Sequence, residues 1–374
     1  MMDAEDRSWE LVRRAFEERT AAPRRRALAS NTLLLAGLGA ALVTAFVAAV
    51  FSPPGHAVFE RVRQAVGVDH ADPALFSLPA PGRLLVVSAE GGGIWLADAN
   101  GYKRKLGTYE DAEWSPHGLY VVATRRNELT ALDVDKGVRW SLARHDVAWP
   151  TWTGTRADTR IGYLAAGGLR VVGGDGRGDR LLDGTAAAVA PAWAPSRRFA
   201  ITYVSGSSTI VLREASGRVV WRRQVGVVPS ALQWSTDGRL LAVRSSHRVV
   251  VLDARGRVKR TISSLGSLLT AVAFKPGTHS LAVVARSPAR TELRLVDVDR
   301  PGRSRLLFAG PGIFGDIVWS PDASTLLVDW PTANQWIFLR GQKVHAVAVG
   351  AEFPRHDDLR PRLLVAQRWC CPAD

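Results

Sequence analysis

The sequence predicts an all-β chain: a β-propeller of seven blades, with six the alternative, preceded by one transmembrane helix. Three observations carry this. An aromatic anchor recurs about every forty residues, short apolar strands between Gly/Pro turns fill the chain from residue 74, and residues 27–51 contain no charge.

The uncharged run, ALASNTLLLAGLGAALVTAFVAAVF, is 25 residues long. At ~1.5 Å per residue it makes about 37 Å of helix, enough to cross a hydrocarbon core of ~30 Å. Pro53-Pro54-Gly55 stops it. A cleaved signal peptide has a shorter apolar stretch behind a short positive one, so an uncleaved anchor is expected. Arg7, Arg13, Arg14, Arg19, Arg24, Arg25 and Arg26 precede the span, and only Arg61 and Arg63 follow closely. That asymmetry keeps residues 1–26 cytoplasmic and sends the rest outside. Gly37 and Ala41 offer a small-residue pair through which the span would form a homodimer. Before the span, Trp9, Val12 and Phe16 form the stripe of a short amphipathic helix, with Glu10 and Arg14 paired. After it, residues 52–73 read as a juxtamembrane stalk, with Val58, Val62, Ala65 and Val66 on one face and Gly67 as its stop.

The propeller is expected over residues 74–353, with a C-terminal tail at 354–374. Trp114-Ser115-Pro116-His117-Gly118 recurs as Trp234-Ser235-Thr236-Asp237-Gly238 and Trp319-Ser320-Pro321-Asp322-Ala323. Looser copies start at Trp193 and Phe274, and the loosest at Trp152. The six anchors are spaced 38, 41, 41, 40 and 45 residues apart. A seventh copy stands in front, with Leu78 at the anchor and Gly82–Val87 as its strand. Leu132-Asp133, Leu252-Asp253 and Val296-Asp297 end later strands at Asp/Gly turns. One blade exposes both faces of its sheet, so each anchor is expected to fill the seam against the next blade, and each Asp to bond its own turn. Both residue types are therefore structural first. Residues 344–353 are expected to supply the last outer strand, and 362–366 either a further strand or a clasp on the first blade. The anchor, the strand after it and the LxD turn resemble the TolB-like, or WD40-like, propeller repeat. The resemblance implies the fold and a membrane-anchored bacterial type, and it implies no activity.

The net charge is +14, with only six Lys against 43 Arg. The Arg are spread along the chain, a pattern of composition rather than a phosphate-binding patch, so no nucleic acid is expected. Cys370 and Cys371 are adjacent and give neither a disulfide framework nor zinc spacing; they read as part of the tail. GxSxG, HExxH and Walker A motifs are absent, and the eight His are scattered, so no catalytic residue, metal or cofactor is expected. Asp175–Asp179 reads as a hairpin turn rather than a calcium loop, and its Arg177-Gly178-Asp179 tripeptide as chance.

Binding is the remaining function class. The turns between second and third strands and the links between blades share one end of the ring. They hold Arg125, Arg126, His145, His247, Arg286 and Arg290. Their basic character suggests an acidic protein or an anionic envelope component as partner. The expected function is a single-pass, extracytoplasmic, non-enzymatic interaction module of a bacterial cell membrane. The alternatives are an anti-sigma-like regulator acting through the cytoplasmic helix, and a hydrolase or lyase with its site in the channel.

Overall fold

A computed structural model describes residues 77–88, 93–264, 266–348 and 364–371. The expected cytoplasmic segment at 1–26, the expected span at 27–51, the expected stalk at 52–73 and residues 354–363 lie outside the described residues. Among the described residues no helix is long and apolar enough to cross a membrane.

Seven four-stranded antiparallel sheets form the blades. From inner to outer strand, blade two is Asp111–Trp114, Tyr120–Arg125, Glu128–Asp133 and Gly137–Ala143. Blade three is Ala148–Gly154, Thr159–Ala165, Gly168–Gly173 and Arg180–Asp183. Blade four is Ala192–Trp193, Ala200–Ser205, Thr209–Glu214 and Val219–Gln224. Blade five is Ala231–Trp234, Leu240–Arg244, Arg248–Asp253 and Val258–Ser263. Blade six is Leu268–Phe274, Ser280–Arg286, Thr291–Asp297 and Ser304–Gly310. Blade seven is Ile317–Trp319, Leu326–Trp330, Gln335–Arg340 and Lys343–Ala348. Each inner strand touches the inner strands of both neighbours, which closes the ring at seven.

Blade one joins the two ends of the described chain. Its second to outer strands are Arg83–Ser88, Ile94–Asp98 and Lys103–Gly107, and its inner strand is Leu364–Cys370. This corrects the expected anchor at Leu78 and moves part of the expected tail into the sheet. Residues 77–82 form no strand, although Leu78 is buried in the same seam. Trp369 pairs with Leu84 as Trp114 pairs with Val121 and Trp234 with Leu241, so Trp369-Cys370-Cys371-Pro372 is the seventh copy of the anchor. Pairing strands from the two ends of the described chain in one sheet holds the ring closed.

The core is divided among the seams. Seven hydrophobic clusters occur, one between each pair of adjacent blades. Trp114, Trp193, Trp234, Phe274 and Trp369 are buried in them, and Trp152 and Trp319 pack at the edges of theirs. This corrects the expected seam: each lies in the seam to the preceding blade, not the next, because period-two alternation sends every other side chain to that side. The indole of Trp234 donates to Thr202 Oγ1 at 3.0 Å and that of Trp193 to the Thr151 carbonyl at 3.1 Å, both across the seam.

The residues after the anchor hold the turn. Ser235 Oγ donates to Asp237 Oδ1 at 2.6 Å and accepts the Leu240 N–H at 3.0 Å. Ser320, Asp322 and Thr325 repeat the arrangement. Gly238, at φ 66°, is required because a Cβ there would lie 2.4 Å from the backbone nitrogen of Ser196 on the previous blade. At the equivalent Gly118 the neighbour is Cys371, and Cys370 and Cys371 are bonded to each other as a disulfide.

Candidate functional site at the channel mouth

Strand direction alternates within each blade, so its connections fall at two ends. Inner-to-second and third-to-outer turns lie at one end, the turn end. Second-to-third turns and blade-to-blade links lie at the other, the mouth. Arg125, Arg126, His145, His247, Arg286 and Arg290 all occupy the mouth.

They fall into two arcs. On the link between blades one and two, the Tyr109 ring lies 4.6 Å under the Arg125 guanidinium, whose Nε donates to the Thr108 carbonyl at 2.7 Å. Arg126 is 3.8 Å from Asp146, both exposed, and His145 sits beside Asp146 in the link between blades two and three. In blades five and six, His247 Nδ1 is 3.0 Å from the Ser267 carbonyl, Arg290 pairs with Glu292, and Arg286 ends its strand exposed. Glu292 also accepts from Arg294 at 2.8 Å. Burial opposes ionisation of Glu292, but Arg294 and Arg290 outweigh it and hold the carboxyl below its ordinary value.

Sequence reasoning missed a second set of charges beside the ring's axis. Arg368 on the inner strand of blade one donates to Glu113 on that of blade two at 2.6 Å. Glu113 chiefly, with Asp111 and Asp316, holds the Arg368 guanidinium above its ordinary pKa although burial opposes this. Arg244 donates to the Leu269 carbonyl at 2.8 Å. Burial pulls the Arg244 pKa down, and Asp316 opposes the shift.

It also missed Trp149. This residue begins the inner strand of blade three at φ 49°, where the register slips between Ala148 and Thr151. A bulky side chain rarely takes that conformation, and a residue before proline, here Pro150, is further restricted to extended backbone. Trp149 is 37% exposed at the mouth. Val228, on the link between blades four and five, and Leu268, at the start of blade six, are exposed at the same end. A Trp-Pro pair interrupting an inner strand is the sequence signal that would have found it.

Two polar clusters are structural. Asp179, 6% exposed, accepts from Tyr163 Oη at 2.6 Å, Arg144 Nη2 at 2.6 Å and Arg170 Nη2 at 2.7 Å. Both oxygens of the Arg177-Gly178-Asp179 carboxylate are thus occupied within the fold. Burial first, then Asp179, pushes the Tyr163 hydroxyl up, while its donors hold Asp179 below its ordinary value against burial. At the turn end, His279 of blade six lies 2.9 Å from Asp237 of blade five and 2.6 Å from Asp299, which also accepts from Lys259. Burial lowers His279, but the two carboxylates outweigh it and raise its pKa. Burial also opposes ionisation of Asp237, yet Ser235, the Arg239 N–H and His279 bring it down to about 2. Among the described residues no group of His, Cys, Asp and Glu has the geometry to hold a metal ion.

Charge is distributed unevenly between the mouth connections and the outer edge of the ring. The described mouth connections, outside strands, hold three Arg (Arg126, Arg144, Arg290) and three carboxylates (Glu110, Asp146, Asp316). The third-to-outer turns hold seven Lys or Arg against four Asp, and the outer strands, which run from the turn end up to the mouth, add eleven against one. Every blade contributes to this collar. The carboxylates that end the third strands are drawn into their turns: Asp133 accepts the N–H groups of Asp135 and Lys136, Asp253 those of Arg255 and Arg257, and Asp297 those of Asp299 and Arg300.

No family model and no curated protein matches the sequence. Among solved structures, a chain of a mitotic checkpoint complex is similar at 13% identity, over 86% of this chain and 96% of that one, with a TM-score of 0.55. The β-propeller domain of Cps50 (Swd1) from Myceliophteria thermophila is 12% identical over 63% of this chain and 84% of its own, with a TM-score of 0.50. Hydrazine synthase from Kuenenia stuttgartiensis is 15% identical over 61% and 75%, also at 0.50. At these identities the likeness is one of fold: the chain is a seven-bladed β-propeller with WD40-like structural neighbours.

Proposed function

We propose that the chain is a non-enzymatic, membrane-anchored interaction module of a bacterial envelope. Its mouth docks a protein partner, and residues 27–51 cross the membrane with the N-terminus inside. The propeller fold supports a binding role, and one structural neighbour belongs to a multi-protein complex. The observation that carries the reading is Trp149. It is a large aromatic held in strained backbone and left exposed at the same end as Val228 and Leu268, among mixed charges. Binding energy concentrates in such anchors, with a polar surround that excludes water. Strain maintained at an exposed site is compatible with selection for the side chain rather than for stability.

The test uses the full chain in native membranes, with a photo-crosslinking amino acid at Ser207 in a mouth turn or Ser216 in a third-to-outer turn. A discrete crosslinked species from Ser207, lost in Trp149→Gly and absent from Ser216, is the expected result. Equal crosslinking from both ends, or crosslinks indifferent to Trp149, would overturn the reading. A reporter active only outside the cytoplasm, fused after Gly350, checks orientation.

A further inference from the structure

We infer that the basic collar seats the turn end of the propeller on an anionic lipid surface. The inference rests on the membrane-anchored reading above, and three observations carry it.

The first is charge. All seven blades place cations in the collar: seven stand in the third-to-outer turns against four Asp, and eleven more run up the outer strands against one. Arg139, Arg255, Arg257 and Arg305 are exposed, and none of them has a side-chain hydrogen bond or ion pair among the described residues. The second is shape. The collar follows the whole perimeter, so several blades can approach one planar surface together, whereas a linear polyanion would meet only part of it. The third is connectivity. The second strand of blade one starts at the turn end, so residues 77–82 lead into it there. Leu78 donates its N–H to the carbonyl of Ala99, in the third-to-outer turn of that blade, at 3.0 Å. Any membrane segment ahead of residue 77 therefore attaches on the collar's side. Residues 52–76 span at most ~3.6 Å each, so the propeller stays within about 90 Å of the bilayer. Attraction between lipid headgroups and Lys or Arg acts within a Debye length, ~8 Å at physiological salt, so only a seated collar feels it. The mouth then points away from the membrane.

The full chain is reconstituted into vesicles of phosphatidylcholine alone or with phosphatidylglycerol, carrying a headgroup-linked energy acceptor. A fluorescent amino acid replaces Ser216 at the turn end or Ser207 at the mouth. With phosphatidylglycerol, transfer from 216 should exceed transfer from 207. The excess should vanish without anionic lipid, in a chain with Arg139, Arg255, Arg257 and Arg305 all changed to Ser, and at about 1 M salt, where the screening length is ~3 Å. Equal transfer from both sites, or an excess indifferent to lipid charge, would overturn the inference. Alkaline carbonate extraction of the same vesicles tests the anchor separately. If the chain is extracted, the anchor fails, and the collar is then judged by sedimentation. Binding to phosphatidylglycerol vesicles that the four-Arg variant weakens on the order of a hundredfold sustains it, and equal binding by both chains refutes it.

Discussion

The mouth and the collar are built from the same repeat and differ in charge. At the mouth connections, cations and carboxylates balance and several are paired; exposed apolar side chains stand in both, Trp149, Val228 and Leu268 at the mouth and Tyr102, Val138, Leu181, Val258 and Leu306 in the collar. In the collar, cations outnumber carboxylates more than threefold, and the Asp residues that end the third strands spend their oxygens on turn N–H groups. An even scatter of Arg along a sequence thus becomes an uneven surface once the fold gathers the third-to-outer turns and outer strands at one edge and draws Asp133, Asp253 and Asp297 into their turns.

The largest expected effect breaks both faces together. Trp234→Ala empties the seam between blades four and five and should cost ~3–5 kcal/mol. Trp369→Ala should cost a similar amount, because the closing strand anchors blade one to blade seven as tightly as any internal seam. Denaturant unfolding measures both, and a negligible cost for Trp369 would argue against the closure. Trp149→Gly sharpens the comparison. Stability should hold or rise by about 1 kcal/mol as left-handed strain is relieved, while mouth crosslinking is lost.

A smaller effect is specific to the turn end. The folded pKa of His279 is raised, so its link between blades stabilises the protein below about pH 6.5 and fades as pH rises through the folded value. Asp237 is depressed from 3.8 to about 2, so its contribution is present above the unfolded value and is lost as pH falls toward about 2. Replacing His279 by Gln should flatten the neutral-side slope of the melting temperature and leave the acid side steep; an unchanged slope would show that the link does not titrate there. The smallest expected effect is at the mouth. Changing Arg125, Arg126, Arg286 and Arg290 to Ser should shift stability by about 0.5 kcal/mol or less, and should slow partner association and flatten its salt dependence. Four collar Arg changed to Ser make the control, and equal loss of partner binding in both variants would erase the distinction between the faces.

The blades were legible because seam packing leaves a fixed-period aromatic and its turn in the sequence. Trp114, Trp193, Trp234 and Phe274 stand buried in seams, although with the preceding blade rather than the next, because the side of the sheet an anchor faces is not written in its period. The closure was half-legible: Leu78 is buried in the seam of blades one and seven, but the inner strand comes from the far end, where Trp369-Cys370-Cys371-Pro372 hides the anchor behind cysteines. The Cys pair read as tail because a pattern of two adjacent residues says nothing of the strand leading into it. Placing Arg125, Arg126, His145, His247, Arg286 and Arg290 at one end needed only strand parity. Which cations are paired, that Arg368 meets Glu113, and that Trp149 turns out of register all depend on contacts between distant segments, which carry no local pattern.

The central claim is that the two ends do different work, and hydrogen exchange of the full chain in vesicles tests it most directly. Moving from phosphatidylcholine to phosphatidylglycerol vesicles should slow exchange in the collar turns at 134–136, 215–218 and 254–257. The mouth turns at 126–127, 206–208 and 245–247 should stay unchanged. Slowing confined to the mouth, or no difference between the lipids at either end, would contradict the account.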